Sequence, residues 1–149
     1  MPDAAHIDRR GWLSLLAKAP DAEFLPLFDA LGTLPDFDWL RAPEVGSVMV
    51  QGRMGATGAP FNLGEMTVTR CSLQLPGGQV GHGYVQGRSK PAAKAVALVD
   101  ALMQTDAAAR LRADILAPLM AGAAGRAETR ARKAAATKVE FFTMARGED

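Results

Sequence analysis

The amino-acid sequence predicts an α+β fold, in which a central antiparallel sheet of three or four strands is flanked by N-terminal and C-terminal helices within a single domain. Three observations predict it. Apolar residues recur at helical spacing up to residue 44 and again after residue 90, but alternate with period two in between. Ten of the 15 glycines fall between Gly46 and Gly87, where turns and close strand packing need them. The 149 residues, 48% hydrophobic and 22% charged, suffice for one core and exclude a disordered or fibrous chain.

Three parts follow: residues 1–44 helical, 45–89 glycine-rich and strand-forming, 90–149 alanine-rich and helical with a final strand. In the first, Trp12, Leu13, Leu15 and Leu16 cover one face of a helix over residues 8–19 that Pro20 stops. Phe24, Leu27, Phe28 and Leu31 mark a second helix, with Asp21 as its N-cap, Gly32 as its stop, and a start that Pro26 could move later. Pro35, Pro43, Asp36 and Asp38 then predict a turn-rich connection.

In the middle part, Val48 and Val50 alternate with polar residues, and a second run extends over residues 63–75. Its apolar residues switch parity between Val68 and Cys71, which predicts a β-bulge near Thr69 and Arg70. Pro76-Gly77-Gly78-Gln79 is a turn that pairs this run with a third strand, whose one face carries Val80, His82, Tyr84, Gln86 and Arg88. Gly81, Gly83 and Gly87 leave the opposite face nearly bare, open to a tightly packed helix or to a ligand.

After Pro91, residues Ala92, Ala95, Val96, Val99, Leu102 and Met103 trace one helical face. Leu111, Ile115 and Leu119 carry another helix to about Pro118. Beyond Gly122 and Gly125, Ala124, Ala127, Ala131, Ala134 and Ala135 form a small-residue face that needs a large surface to pack on. Val139 to Arg146 reads as the last strand, docked rather than free.

The formal net charge of +1 supplies no general pull toward nucleic acid or anionic membrane. One cysteine, Cys71, and two histidines, His6 and His82, cannot build a four-ligand metal site, so no metal or cofactor of its own is expected. Met1-Pro2-Asp3 opens no signal-like segment and no long apolar run occurs, which predicts a cytoplasmic protein.

No self-contained catalytic signature is present. Two segments could hold an anion. The glycine-rich stretch over residues 52–62, with Arg53 and Thr57, is either a concavity of backbone N–H groups or a demanding connection between strands. Gly87-Arg88-Ser89-Lys90 opens a helix, so Arg88 and Ser89 could converge on a phosphate, or Ser89 could simply cap. His82 beside Tyr84 could act as acid or base, or be structural. Arg70 is a substrate clamp or the partner of Glu65, and Cys71 reads as a small core residue. Arg126, Arg130 and Lys133 share a helical face, either solvated or a docking face for an acidic partner.

Taken together, Arg53-Met54-Gly55-Ala56-Thr57-Gly58-Ala59-Pro60-Phe61-Asn62 and the run through Cys71, Gly81-His82-Gly83-Tyr84-Val85-Gln86-Gly87-Arg88, Ala101-Leu102-Met103-Gln104, Arg10-Gly11-Trp12 and the C-terminal Phe141-Phe142-Thr143-Met144-Ala145-Arg146-Gly147-Glu148-Asp149 resemble the PhnG family, whose members are subunits of the bacterial carbon-phosphorus lyase system. The resemblance spans the whole chain. It departs at Ser89 and Pro91, where the family usually carries Asp and His. It implies a subunit that, with PhnI, PhnH and PhnL partners, takes part in transferring the ribose triphosphate moiety of ATP to methylphosphonate with loss of adenine. A core complex with PhnH, PhnI and PhnJ is implied too, with ATP as co-substrate and homodimeric contacts inside a hetero-oligomer. Arg53, Thr57, Arg70, His82, Arg88 and Ser89 are then the candidates for substrate or interface contacts. The rival reading is an independent phosphate-, phosphonate- or nucleotide-binding protein.

Overall fold

The computed structural model describes residues 3–146, with side chains described through residue 138. Helices α1 (Arg9–Lys18) and α2 (Asp21–Asp29) lead into strands β1 (Asp38–Arg53), β2 (Pro60–Gln74) and β3 (Val80–Gln86), followed by α3 (Lys90–Leu102), a short α4 (Ala108–Leu111) and α5 (Ala117–Arg146). The three strands form an antiparallel sheet in the order β1-β2-β3.

Local chemistry sets the ends. The Asp8 carboxylate accepts the Gly11 N–H at 2.8 Å and starts α1, which ends ahead of Pro20. The Ser89 hydroxyl accepts the Ala92 N–H at 3.2 Å and starts α3, with Pro91 in its first turn where its missing N–H costs nothing. In α2 the expected cap is displaced by one residue. Asp21 is the first helical residue, Pro20 precedes it without a side-chain cap bond, and Pro26 is accommodated inside the helix.

Helix α3 is the centre of the core. Ala93, Ala95, Val96, Ala97, Leu98 and Val99 are buried because the sheet covers one side of α3 while α1, α2 and the start of the C-terminal helical run cover the other. Leu73 from β2 and Leu16, Phe24, Ile115 and Leu119 from the helices complete it, each full burial worth about 2 to 3 kcal/mol. The sheet comes close because of glycine. A Cβ at Gly81 would run into the Ala97 carbonyl oxygen, and one at Gly83 into that of Ala93. The bare strand face therefore packs a helix, the first of its two readings.

Four expectations are corrected. No bulge occurs at Thr69 and Arg70, which pair in register with Val45 and Glu44 on one side and with Val85 and Tyr84 on the other. Thr69 belongs to the buried face with Cys71 and Leu73, its hydroxyl donating to the Gly87 carbonyl at 2.7 Å, while Val68 is buried on the opposite face, so the apolar residues change faces along a strand that has no bulge there. The register slips instead on β1, near Leu40 and across Ala42 and Pro43, and once on β2 at Leu63. Second, Asp38 to Glu44 is strand rather than turn-rich connection, because β1 is an edge where Pro43 disturbs no inner ladder.

Third, the C-terminal helical run does not break at Pro118 or at Gly122 and Gly125. A turn of π-helix over Arg112–Leu116 leads into α5, and one turn further Gly122 fits where a Cβ would meet the Glu23 carboxylate. Fourth, the final strand is absent: α5 continues through Arg146, since an alanine-rich run without Gly or Pro after Gly125 extends a helix one hydrogen bond per residue. The docking of that tail's side chains lies outside the described residues.

Candidate functional site

The face of the sheet turned away from α3 is polar where all three strands are present. Alternation puts His82 and Tyr84 of β3 on it, opposite the helix-facing Gly81, Gly83 and Val85. Pairing then sets the neighbours. Ser72 stands across from His82, Arg70 across from Tyr84, and Glu44 of β1 across from Arg70. Arg41, Arg70, Ser72, His82 and Tyr84 line a shallow cavity of about 320 Å³.

Two polar units share this cavity. The Glu44 carboxylate accepts from Arg70 Nε at 2.7 Å and from Arg41 Nη1 at 2.7 Å, both on the same oxygen. Two guanidinium groups around one carboxylate leave an excess positive charge and unused N–H donors in a rigid fork suited to a phosphate or carboxylate. The Arg70 bond, with Arg41 in support, holds the Glu44 carboxyl below the usual carboxylate range. Beside them, Ser72 Oγ and His82 Nδ1 lie 2.9 Å apart, which leaves the other ring nitrogen of His82 for a bound group. All of these side chains are exposed or half-exposed, so the face is open and, among the described residues, has no wall opposite the sheet.

Beneath the site is a buried anchor that sequence reasoning missed. Asp100 of α3, wholly buried, accepts the backbone N–H of His82 at 2.9 Å, the Trp12 indole N–H at 2.9 Å, and both Arg9 Nε at 3.1 Å and Nη2 at 2.8 Å. This carboxylate ties α1 and α3 to the strand that carries His82. On the same side Cys71 is buried, and burial pushes its thiol up to about 11, against a smaller opposite effect from its bond with Gly83. It is a core residue, as expected.

Of the six expected residues, Arg70 and His82 meet at this face. Arg53 and Thr57 do not. They lie at the tip of the β1–β2 hairpin, ten residues along β2 from Arg70, a span of about 33 Å. Thr57 there contacts only the Gly55 carbonyl, at 3.5 Å, among the described bonds. Arg88 is exposed past the end of β3, and Ser89 is occupied in capping α3. Arg70 pairs with Glu44 rather than with Glu65, since Glu65 sits far along the arm opposite Met49. Ser72 was within reach of sequence reasoning, because the Pro76 to Gln79 turn already sets it across from His82; Glu44 and Arg41 were hidden by the slips in β1.

Residues 7–147 match the family model described as "Phosphonate metabolism protein PhnG". The chain belongs to the PhnG family. It is also 43% identical over 148 residues, 99% of its own length and 94% of the relative's, to a Rhizobium meliloti (strain 1021) protein named "Alpha-D-ribose 1-methylphosphonate 5-triphosphate synthase subunit PhnG". The PhnG motif Arg10-Gly11-Trp12 acquires a physical role, since Trp12 is one of the donors to Asp100. The PhnG block around Gly81-His82-Gly83 does so as well: its glycines admit α3 and its histidine faces outward. No helix among the described residues is long and apolar enough to cross a membrane.

Proposed function

We propose that this chain is a subunit of an α-D-ribose 1-methylphosphonate 5-triphosphate synthase, active with PhnI-, PhnH-, PhnJ- and PhnL-type partners in the cytoplasm, with ATP as co-substrate. The reaction joins a phosphonate oxygen to C1′ of ribose as adenine leaves. Near-complete coverage at 43% identity to a protein of that name supports the reading. The geometry adds what this chain contributes. The observation that carries it is the convergence of Arg70, Arg41 and His82 on an open face, where two guanidinium groups and an imidazole can hold an anionic group that a partner's surface closes over.

Within that reading, Arg70 and Arg41 bind the charge of a phosphonate or phosphate oxygen, and His82 donates a hydrogen bond from its free ring nitrogen. The bond-breaking step is completed by groups on the partner. An open, water-covered face gives a charged pair little of the low-dielectric advantage that catalysis needs. The exposed apolar residues of the hairpin arm, Met49, Met54, Phe61 and Leu63, also fit a subunit that works inside an assembly.

The test is co-expression with a PhnI-type subunit, light scattering on the purified complex, and adenine release from ATP plus methylphosphonate. Complex formation with release that depends on this chain, reduced by Arg70→Ala, is the expected outcome. A chain that neither joins the partner nor changes the rate overturns it. The independent anion-binding reading requires residues 52–62 and 87–90 to share a site, yet Gly87 bonds Thr67, about 23 Å along β2 from the hairpin tip.

A further inference from the structure

The side chains of the open face stand in two rows across the sheet. One row is Arg41 of β1, Ser72 of β2 and His82 of β3; the next is Glu44, Arg70 and Tyr84. Arg41 and Glu44 share this face only because the slip across Ala42 and Pro43 sets three steps of β1 against two of β2. Ser72 therefore has a guanidinium on one side and an imidazole on the other. Arg41 turns its Nη1 to Glu44, and among the described bonds Ser72 Oγ has a single partner, His82 Nδ1 at 2.9 Å. A hydroxyl proton needs an acceptor, and a guanidinium offers none. The ring nitrogen is the acceptor left to it.

We propose that Ser72 is a positioning residue for His82: its hydroxyl donates to Nδ1, which puts the proton of the neutral ring on Nε2 and makes His82 a hydrogen-bond donor toward a bound phosphonate or phosphate oxygen. A neutral imidazole carries one proton, so when Nδ1 accepts from Ser72 the other nitrogen is an N–H. The opposite tautomer would aim a lone pair at the ligand and repel an anionic oxygen. Ser72 thus decides whether His82 adds to the pull of Arg70 and Arg41 or works against it. The residue is held at its other end too. Asp100, which also accepts from Trp12 and Arg9, takes the His82 backbone N–H at 2.9 Å, and with that pivot fixed the Ser72 bond stops the ring from swinging.

The proposal deepens the synthase reading, on which the identity of the anion rests, but its first test needs neither partner nor substrate. Ring nitrogen-15 NMR on the full chain at about pH 8.5, above the ordinary imidazole range, shows which nitrogen carries the proton, and a His6→Gln background leaves one imidazole to observe. A single tautomer protonated on Nε2 is expected. Ser72→Thr should keep it, Ser72→Ala should give a mixture, and Ser72→Asp, whose carboxylate only accepts, should draw the proton to Nδ1, all with unchanged circular dichroism spectra. In the co-expressed assembly, Ser72→Ala is expected to raise KM for the phosphonate about threefold to tenfold with kcat unchanged, and Ser72→Thr to restore it. A proton on Nδ1 or a mixture of tautomers with Ser72 in place, or an Nε2 proton that Ser72→Asp leaves where it is, overturns the proposal. So does a Ser72→Ala variant that lowers kcat at unchanged KM, because the pair then acts in the bond-breaking step. If the tautomers behave as expected and the complex forms while neither KM nor kcat moves, the positioning stands and the synthase reading of this face falls.

Discussion

The indole N–H of Trp12 donates to the Asp100 carboxylate at 2.9 Å, a bond between two helices made beneath the strand that carries His82. Four donors converge on that one buried anion. Removing it leaves the Trp12 indole and the His82 amide without their acceptor, while Arg9 Nη2 keeps the Val80 carbonyl. Asp100→Ala is expected to cost about 3 to 5 kcal/mol in urea unfolding, with a change in Trp12 fluorescence. Asp100→Asn, which keeps the shape and part of the bonding, should cost clearly less. Equal urea midpoints for wild type and Asp100→Ala would refute the anchor.

Gly83→Ala forces α3 away from the sheet, because the new methyl meets the Ala93 carbonyl. A loss of about 3 kcal/mol or more is expected by the same measurement, against less than about 0.5 kcal/mol for Gly46→Ala, whose added methyl meets nothing within 4 Å.

The Cys71 thiol titrates near 11 in the fold, above its ordinary value, so folding favours the neutral form. Stability from this group is fully present below the ordinary thiol pKa and is lost as pH rises through 11. Native protein at pH 8 should therefore resist a thiol reagent that reacts at once after unfolding. Fast labelling of the folded chain would contradict the burial.

Glu44 behaves in the opposite sense. Its carboxyl titrates low, so its pairing with Arg70 and Arg41 exists above the usual carboxylate range and is lost as pH falls through the folded pKa. A side-chain NMR titration should show a low midpoint that Arg70→Ala moves back up. An unmoved midpoint would mean the ion pair is not formed in solution.

In the co-expressed assembly, Arg70→Ala should raise KM for the anionic substrate about tenfold, the scale of one charge-assisted bond. Glu44→Gln, which releases both guanidinium groups, should leave the fold intact and lower KM. If both variants leave KM unchanged while the complex forms, this face does not touch substrate.

How much of this was legible in the sequence depends on which interactions are local. The Pro76 to Gln79 turn fixes the β2–β3 register, so His82 and its bare-backed strand could be read directly. The Glu44–Arg70 pair could not. Slips at Leu40 and at Ala42 and Pro43 set β1 against β2, so nothing local places Glu44 beside Arg70, and the bulge expected at Thr69 and Arg70 aimed the guanidinium toward Glu65 instead. Thr69 misled for a different reason, since a hydroxyl whose acceptor is the Gly87 carbonyl packs as an apolar residue does while scoring as polar. The tail misled because Phe141 and Phe142 favour strands locally, whereas an established helix extends cheaply.

Helix α5 has one more consequence. From Arg126, which reaches Glu23 of α2, to Arg146 it runs twenty residues, about 30 Å, a length comparable with the width of a small domain. A rod of that length fixed to one side makes rotational diffusion unequal about the three axes. The chain should tumble more slowly than a sphere of its mass, with backbone amides of α5 relaxing differently from those of α3 according to the direction each bond vector points.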